Sequence, residues 1–134
     1  MPTLTNIPAI LVVEDDEIVL DTLRRALQSA GYTVFMASGS QQALNLVKSG
    51  AAPISVAILD YGLPGMPGTE LGEELAKLIP NLRVLISSGM PAGSMQLRPG
   101  QRYLDKPYNV RTLLRAVLDE VLSASVESAG SAGN

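Results

Sequence analysis

The run Val56-Ala57-Ile58-Leu59 is apolar at every position and ends abruptly in Asp60. A strand with one wet face alternates polar and apolar residues, so a strand without alternation has both faces covered. A second such run, Ile10-Leu11-Val12-Val13, passes directly into Glu14-Asp15-Asp16. Strands of this kind belong to a parallel sheet enclosed by helices, and parallel neighbours need crossovers of a dozen or more residues.

The intervening sequence supplies those crossovers. Val19, Leu20, Leu23, Ala26, Leu27 and Ala30 recur at helical spacing, and Gly31 stands where a helix end calls for positive φ. Tyr32 to Ala37 reads as a second strand. Ser40 is expected to cap a second helix with Ala43, Leu44 and Val47 on its apolar face. Residues 54–59 form the third strand, and Leu71, Leu75, Leu78 and Ile79 mark a third helix that Pro80 stops. Arg83 to Ser87 and residues 102–104 give strands four and five. Asn109 caps a last helix whose stripe is Val110, Leu113, Leu114, Val117, Leu118 and Val121. The expected class is α/β, a doubly wound five-stranded parallel sheet.

One crossover is irregular. Between Ser88 and Tyr103, Pro91, Gly93, Pro99 and Gly100 leave room for a turn or two of helix at most. Residues 8–122 are expected to form a single domain, residues 1–7 an N-terminal extension, and the small-residue stretch 123–134 a disordered tail.

With no cysteine and no histidine, thiolate chemistry, disulfides and the commonest general base are excluded. A net charge of −3 gives no basic face for nucleic acid or anionic lipid. No run approaches a membrane span or a secretory signal, so the cytoplasm is the expected compartment.

In open α/β sheets, ligands bind beyond the carboxyl ends of the strands. Three of the strands above end in chemically useful groups: Glu14 and Asp15, then Asp60, then Asp105-Lys106-Pro107. Three carboxylates gathered there repel strongly. At an effective dielectric of ~20, a pair about 4 Å apart costs roughly 4 kcal/mol. A divalent cation relieves this, and an all-oxygen set favours Mg²⁺, Mn²⁺ or Ca²⁺. The Gly62 carbonyl is a further candidate ligand, Lys106 a point charge facing the metal, and Ser88 a hydroxyl at the fourth strand's end. These are parts for phosphoryl transfer, with Asp60 as the candidate nucleophile. Read alone, each has a plainer role: Asp60 a turn-former, Glu14 to Asp16 a helix start, Lys106 a solvated charge.

Four blocks occur in order: Leu11-Val12-Val13-Glu14-Asp15-Asp16, Ile58 through Met66, Val84 through Gly89, and Tyr103 through Tyr108. Together they resemble the receiver domains of two-component response regulators over nearly the whole chain, from about Ile10 to Leu122. That resemblance implies a flavodoxin-like sheet of order 2-1-3-4-5 with a shortened or irregular fourth helix. It implies that Asp60 accepts a phosphoryl group from a histidine kinase or histidine phosphotransferase. Glu14, Asp15, Asp60 and the Gly62 carbonyl would hold Mg²⁺, with Mn²⁺ an alternative. Ser88 and Lys106 would bind the phosphoryl oxygens, and Tyr103 would be an aromatic switch working with Ser88. Asp16 is an alternative to Glu14 in the metal's outer shell. The short segment before the fifth strand argues against the family's usual dimer face. A chain of this kind stands alone or is cut from a hybrid kinase.

Other readings fit less of the sequence. An aspartyl-phosphate hydrolase wants a second acid two residues after the nucleophile, where this chain has Gly62. A flavodoxin-like cofactor binder wants a phosphate loop after the first strand, where Glu14-Asp15-Asp16 would repel phosphate. A receiver-like interaction module that no longer depends on phosphorylation would have no use for the full set of site residues.

Overall fold

The computed structural model describes residues 7–50 and 53–132, and of residues 92 and 124–132 the backbone alone. The elements run β1 (Ala9–Val13), α1 (Glu17–Ser29), β2 (Thr33–Ala37), α2 (Ser40–Lys48), β3 (Ile54–Asp60), α3 (Gly68–Leu78), β4 (Arg83–Ser88), β5 (Gln101–Asp105) and α4 (Val110–Ala132). All strand pairs are parallel and the sheet order is β2-β1-β3-β4-β5.

The apolar runs are buried on both faces, as their lack of alternation requires. Ile10, Val12, Val56, Ile58 and Leu85 join a core with Leu23 and Leu27 of α1 and Leu113 and Val117 of α4. Their sequence neighbours Leu11, Val13, Ala57, Leu59 and Ile86 face the other way, onto Ala43 of α2 and Leu71 and Leu75 of α3. Period-two alternation thus splits each strand between two cores. Truncating a side chain such as the fully buried Leu59 to alanine costs about 2–5 kcal/mol.

The helix ends follow local chemistry, with one departure from the expected caps. Asn109 caps α4 as expected, its side chain accepting from the Thr112 N–H at 2.8 Å. Ser40 does not cap α2. The cap is Gly39, and the Ser40 hydroxyl donates instead to the Met66 carbonyl at 2.9 Å, tying α2 to the loop after β3. The backbone of α4 is helical to Ala132. Residues 123–132 contain no proline and include three alanines, the best helix former, together with Gly130, the poorest after proline. Of the N-terminal extension, residues 1–6 lie outside the described residues, as do 133 and 134 of the tail.

Between β4 and β5 there is one three-residue 3₁₀ turn, Ala92–Ser94, in place of a full helix. Pro91 opens it, and the Ser94 N–H and hydroxyl both donate to the Pro91 carbonyl. Gly100, at φ +83°, turns the chain into β5. This strap, residues 89–100, packs Met95 and Leu97 against the α2/α3 core.

Candidate functional site

Strand register brings the acidic groups together. Val13 pairs with Leu59, and Glu14 extends the ladder by donating its N–H to the Ala37 carbonyl at 3.1 Å. Glu14 therefore stands beside Asp60 at the carboxyl edge. One carboxylate oxygen from each of Glu14, Asp15 and Asp60 lies within 4.8 Å of the others. Glu14 is buried, Asp60 half-buried and Asp15 exposed, so the cluster opens toward solvent on the Asp15 side.

Lys106 reaches into this cluster from the end of β5, which the Lys106 N–H continues by donating to the Ser88 carbonyl at 2.8 Å. Its ammonium donates to Asp60 Oδ1 at 3.0 Å and approaches Glu14 Oε1 at 3.5 Å. Burial alone would lower the lysine pKa. The hydrogen bond and charge of Asp60, with Glu14 behind, outweigh it and hold the pKa above the ordinary value. Glu14 is shifted upward as well. Burial is the main cause and the Asp60 charge adds to it, against the Asp16 N–H and Lys106, which favour the ionised form.

Asp16 lies outside the cluster. Its Oδ1 accepts from the N–H groups of Ile18 and Val19 at 2.9 and 3.2 Å, making it the cap of α1, while its own N–H donates to Glu14 Oε2 at 3.1 Å. The adjacent acids thus divide the work: Asp16 starts the helix that holds Glu14 and Asp15 in place.

Asp60 pairs with Ser87 across β3 and β4, and the next residue, Ser88, is buried at the same edge. The Ser88 hydroxyl accepts from the Met90 N–H at 3.0 Å. Gly62 lies against the phosphoacceptor candidate: a Cβ there would stand 3.8 Å from Asp60 Oδ2. Tyr103, on β5, is half-buried beside the end of β4. Its hydroxyl lies within reach of the Ser88 carbonyl at 3.1 Å, the Met90 carbonyl and Asp105 Oδ1.

Two neighbours of the site carry no assignment from the sequence. Tyr108, two residues after Lys106, shares with it a groove of about 500 Å³ walled by Ile18, Val19 and Leu23 of α1. Burial raises the Tyr108 phenol pKa, offset in part by the Ser87 hydroxyl and Lys106. Gly68 is packed so closely that a Cβ would come within 2.4 Å of the Asp60 carbonyl oxygen. The Pro67-Gly68 pair at the start of α3 was the visible signal, but its partner was not.

The model of the response regulator receiver domain matches residues 10–118. The chain belongs to this family. It is 34% identical over 116 residues to the uncharacterized transcriptional regulatory protein YrkP of Bacillus subtilis, covering 84% of this chain and 48% of that protein. It is 30% identical over 118 residues to the sensor kinase CckA of Brucella abortus, covering 85% of this chain and 12% of that one. The receiver domain thus spans half or less of these relatives. Among solved structures, a CheY-like receiver domain protein from Methanospirillum hungatei superimposes with a TM-score of 0.82 at 30% identity, covering 90% of this chain and 98% of the other. The receiver domain of the hybrid histidine kinase CckA gives 0.74 at 28% identity, covering 84% and 97%. Receiver domains are the phosphoacceptor switches of two-component signalling, and the acidic cluster of this receiver is of the kind that takes a divalent cation. Among the described residues no helix is long and apolar enough to cross a membrane.

Proposed function

We propose that Asp60 is the phosphoacceptor of this receiver, and that residues 8–122 are the unit that takes a phosphoryl group from a histidine kinase or histidine phosphotransferase. The observation that carries this reading is the shared position of Lys106, 3.0 Å from Asp60 within a cluster of three carboxylates. An ordinary turn aspartate has no reason to be paired with a lysine drawn from a strand two places away in the sheet.

In the transfer, an Asp60 carboxylate oxygen attacks phosphorus in line, the donor's nitrogen–phosphorus bond breaks, and an acyl phosphate forms. Lys106 stands where it can exchange the carboxylate for a phosphoryl oxygen as charge moves outward. The Ser88 hydroxyl, freed from the Met90 N–H, becomes a second donor to the phosphoryl oxygens, and Tyr103 follows the displaced segment as the switch. Glu14, Asp15, Asp60 and the Gly62 carbonyl are the groups that would hold Mg²⁺ or Mn²⁺, and their all-oxygen donor set fits a hard cation. When bound, such an ion neutralises the transferring phosphoryl group. The chain assists its own phosphorylation and dephosphorylation and is not a turnover enzyme. Its setting is the cytoplasm, and its partners are proteins, with neither nucleic acid nor membrane contacted directly.

Incubation with Mg²⁺ and acetyl phosphate tests the reading by intact mass. The expected result is one acid-stable, base-labile phosphoryl adduct, absent from Asp60→Ala. An adduct that persists in Asp60→Ala, or none in the folded wild type, overturns it.

A further inference from the structure

Alternate residues on one face of β5 fasten the two ends of the strap. Tyr103 holds the first end with its single hydroxyl proton, which lies within reach of both the Ser88 and the Met90 carbonyls. Gln101 holds the second: its Oε1 accepts from the Arg98 N–H at 2.9 Å, and its Nε2 donates to the Thr69 carbonyl at 2.8 Å. Arg98 in turn reaches Glu73 of α3 at 2.8 Å. One side-chain amide therefore ties the strap to the first turn of α3.

That turn is fastened to the Asp60 loop. The Gly68 N–H donates to the Tyr61 carbonyl at 3.1 Å, and Gly68 leaves no room for a Cβ against the Asp60 carbonyl. One turn further on, Gly72 lies under Gln101, where a Cβ would come within 2.7 Å of Nε2. Gly68, Thr69, Leu71 and Gly72 are all buried. Packing this close does not absorb a displacement at one end; it passes it on.

We propose that Gln101 is a relay residue coupling the Asp60 loop to the strap through the Thr69 carbonyl, separately from the contact made by Tyr103. The coupling rests on the phosphoacceptor reading of Asp60. The strap is suited to report such coupling because its only regular structure is the three-residue turn at Ala92–Ser94. A segment with so few internal bonds opens locally at low free energy, so the loss of one anchoring bond changes its open population measurably. Tyr103 and Gln101 act on opposite ends. The strap therefore has two inputs, one from the end of β4 and one from α3.

The two arms of the amide can be separated by chemistry. Gln101→Glu keeps the acceptor for Arg98 and loses the donor to Thr69; Gln101→Met loses both. Hydrogen exchange of residues 92–98 is followed by mass spectrometry with Mg²⁺, with and without acetyl phosphate, and intact mass of the same samples counts adducts. Phosphorylation is expected to speed strap exchange in the wild type by about fivefold, the factor that one net hydrogen bond supplies. In Gln101→Met, exchange is expected to be fast before phosphorylation and to change little after it. Gln101→Glu keeps the acceptor that anchors Arg98, so basal exchange is expected to stay slow. Without the Thr69 link that would draw this acceptor away, it is expected to lose the Gln101-dependent part of the response, leaving only what Tyr103 carries, which a merely structural glutamine would not do. Tyr103→Phe is expected to retain the Gln101-dependent part. Full adduct with wild-type response in Gln101→Glu overturns the relay, as does full adduct in the wild type with unchanged strap exchange. Folded wild-type protein without an adduct overturns the phosphoacceptor reading and the relay with it.

Discussion

Lys106 stands 3.0 Å from Asp60 Oδ1 and 3.5 Å from Glu14 Oε1, so one cation is shared by carboxylates that follow or end two adjacent strands. Without it, a buried glutamate and a half-buried aspartate would face each other unneutralised. Lys106→Met should therefore destabilise the metal-free protein by about 1–3 kcal/mol, below the value for a fully buried pair because the lysine is partly solvated. Urea unfolding in EDTA measures this. Unchanged stability would mean that the lysine contributes nothing to holding the acids together.

Mg²⁺ should act in the same direction as Lys106, by mass action on the folded state alone. Millimolar Mg²⁺ is expected to raise the melting temperature of the wild type. The gain should shrink in Asp15→Ala, which removes the exposed member of the cluster, and grow in Lys106→Met, where repulsion is least relieved. Equal shifts in all three proteins would place the cation elsewhere.

The sheet was legible because its strands lack alternation, and a strand buried on both faces admits few architectures. The site was legible because parallel strands bring their carboxyl ends to one edge, so Glu14, Asp60 and Lys106 converge whatever the details of the loops. Side-chain bonds across long sequence separations were not legible. Ser40 has the composition of a cap, yet its hydroxyl is used by Met66. Asp16 lies among acids that suit a metal, yet its carboxylate is used by the start of α1. In both cases a polar group had two reasonable partners: the packing of a distant loop selects Met66 for Ser40, whereas for Asp16 the N–H groups two and three residues ahead are the nearest donors.

The tyrosines offer a pH test that needs no phosphate. Burial raises the Tyr32 phenol pKa, and burial raises that of Tyr108 despite the nearby Ser87 and Lys106. A phenol that ionises later when folded than when unfolded means that the unfolded chain releases protons first. Stability should then be insensitive to these groups below the ordinary tyrosine pKa of about 10 and fall as pH rises through and above it. Tyrosinate absorbance in the folded protein should lag that in denaturant, and Tyr108→Phe should remove part of the lag. Coincident titrations would show that neither phenol is held back.

Glu120 ties the opposite edge of the sheet to α4. Its carboxylate is buried and accepts from Arg83 Nε at 3.0 Å and Arg102 Nε at 3.2 Å, at the start of β4 and within β5. Removing the acid takes from two guanidinium groups the buried carboxylate they share. Arg102 is largely exposed and Arg83 keeps a further interaction, so neither becomes a stranded buried charge. Glu120→Ala should cost about 2–3 kcal/mol, toward the lower limit for breaking a buried pair. Glu120→Gln keeps the volume and one acceptor, and should cost less. Arg83 and Arg102 lie away from the carboxyl ends of β4 and β5, where the Asp60 site is built, so both variants should take up phosphate from acetyl phosphate at the wild-type rate while folded. Denaturant midpoints and adduct rates measured on the same preparations separate the two effects, and a slowed adduct in folded Glu120→Gln would show that the far edge of the sheet is coupled to the site.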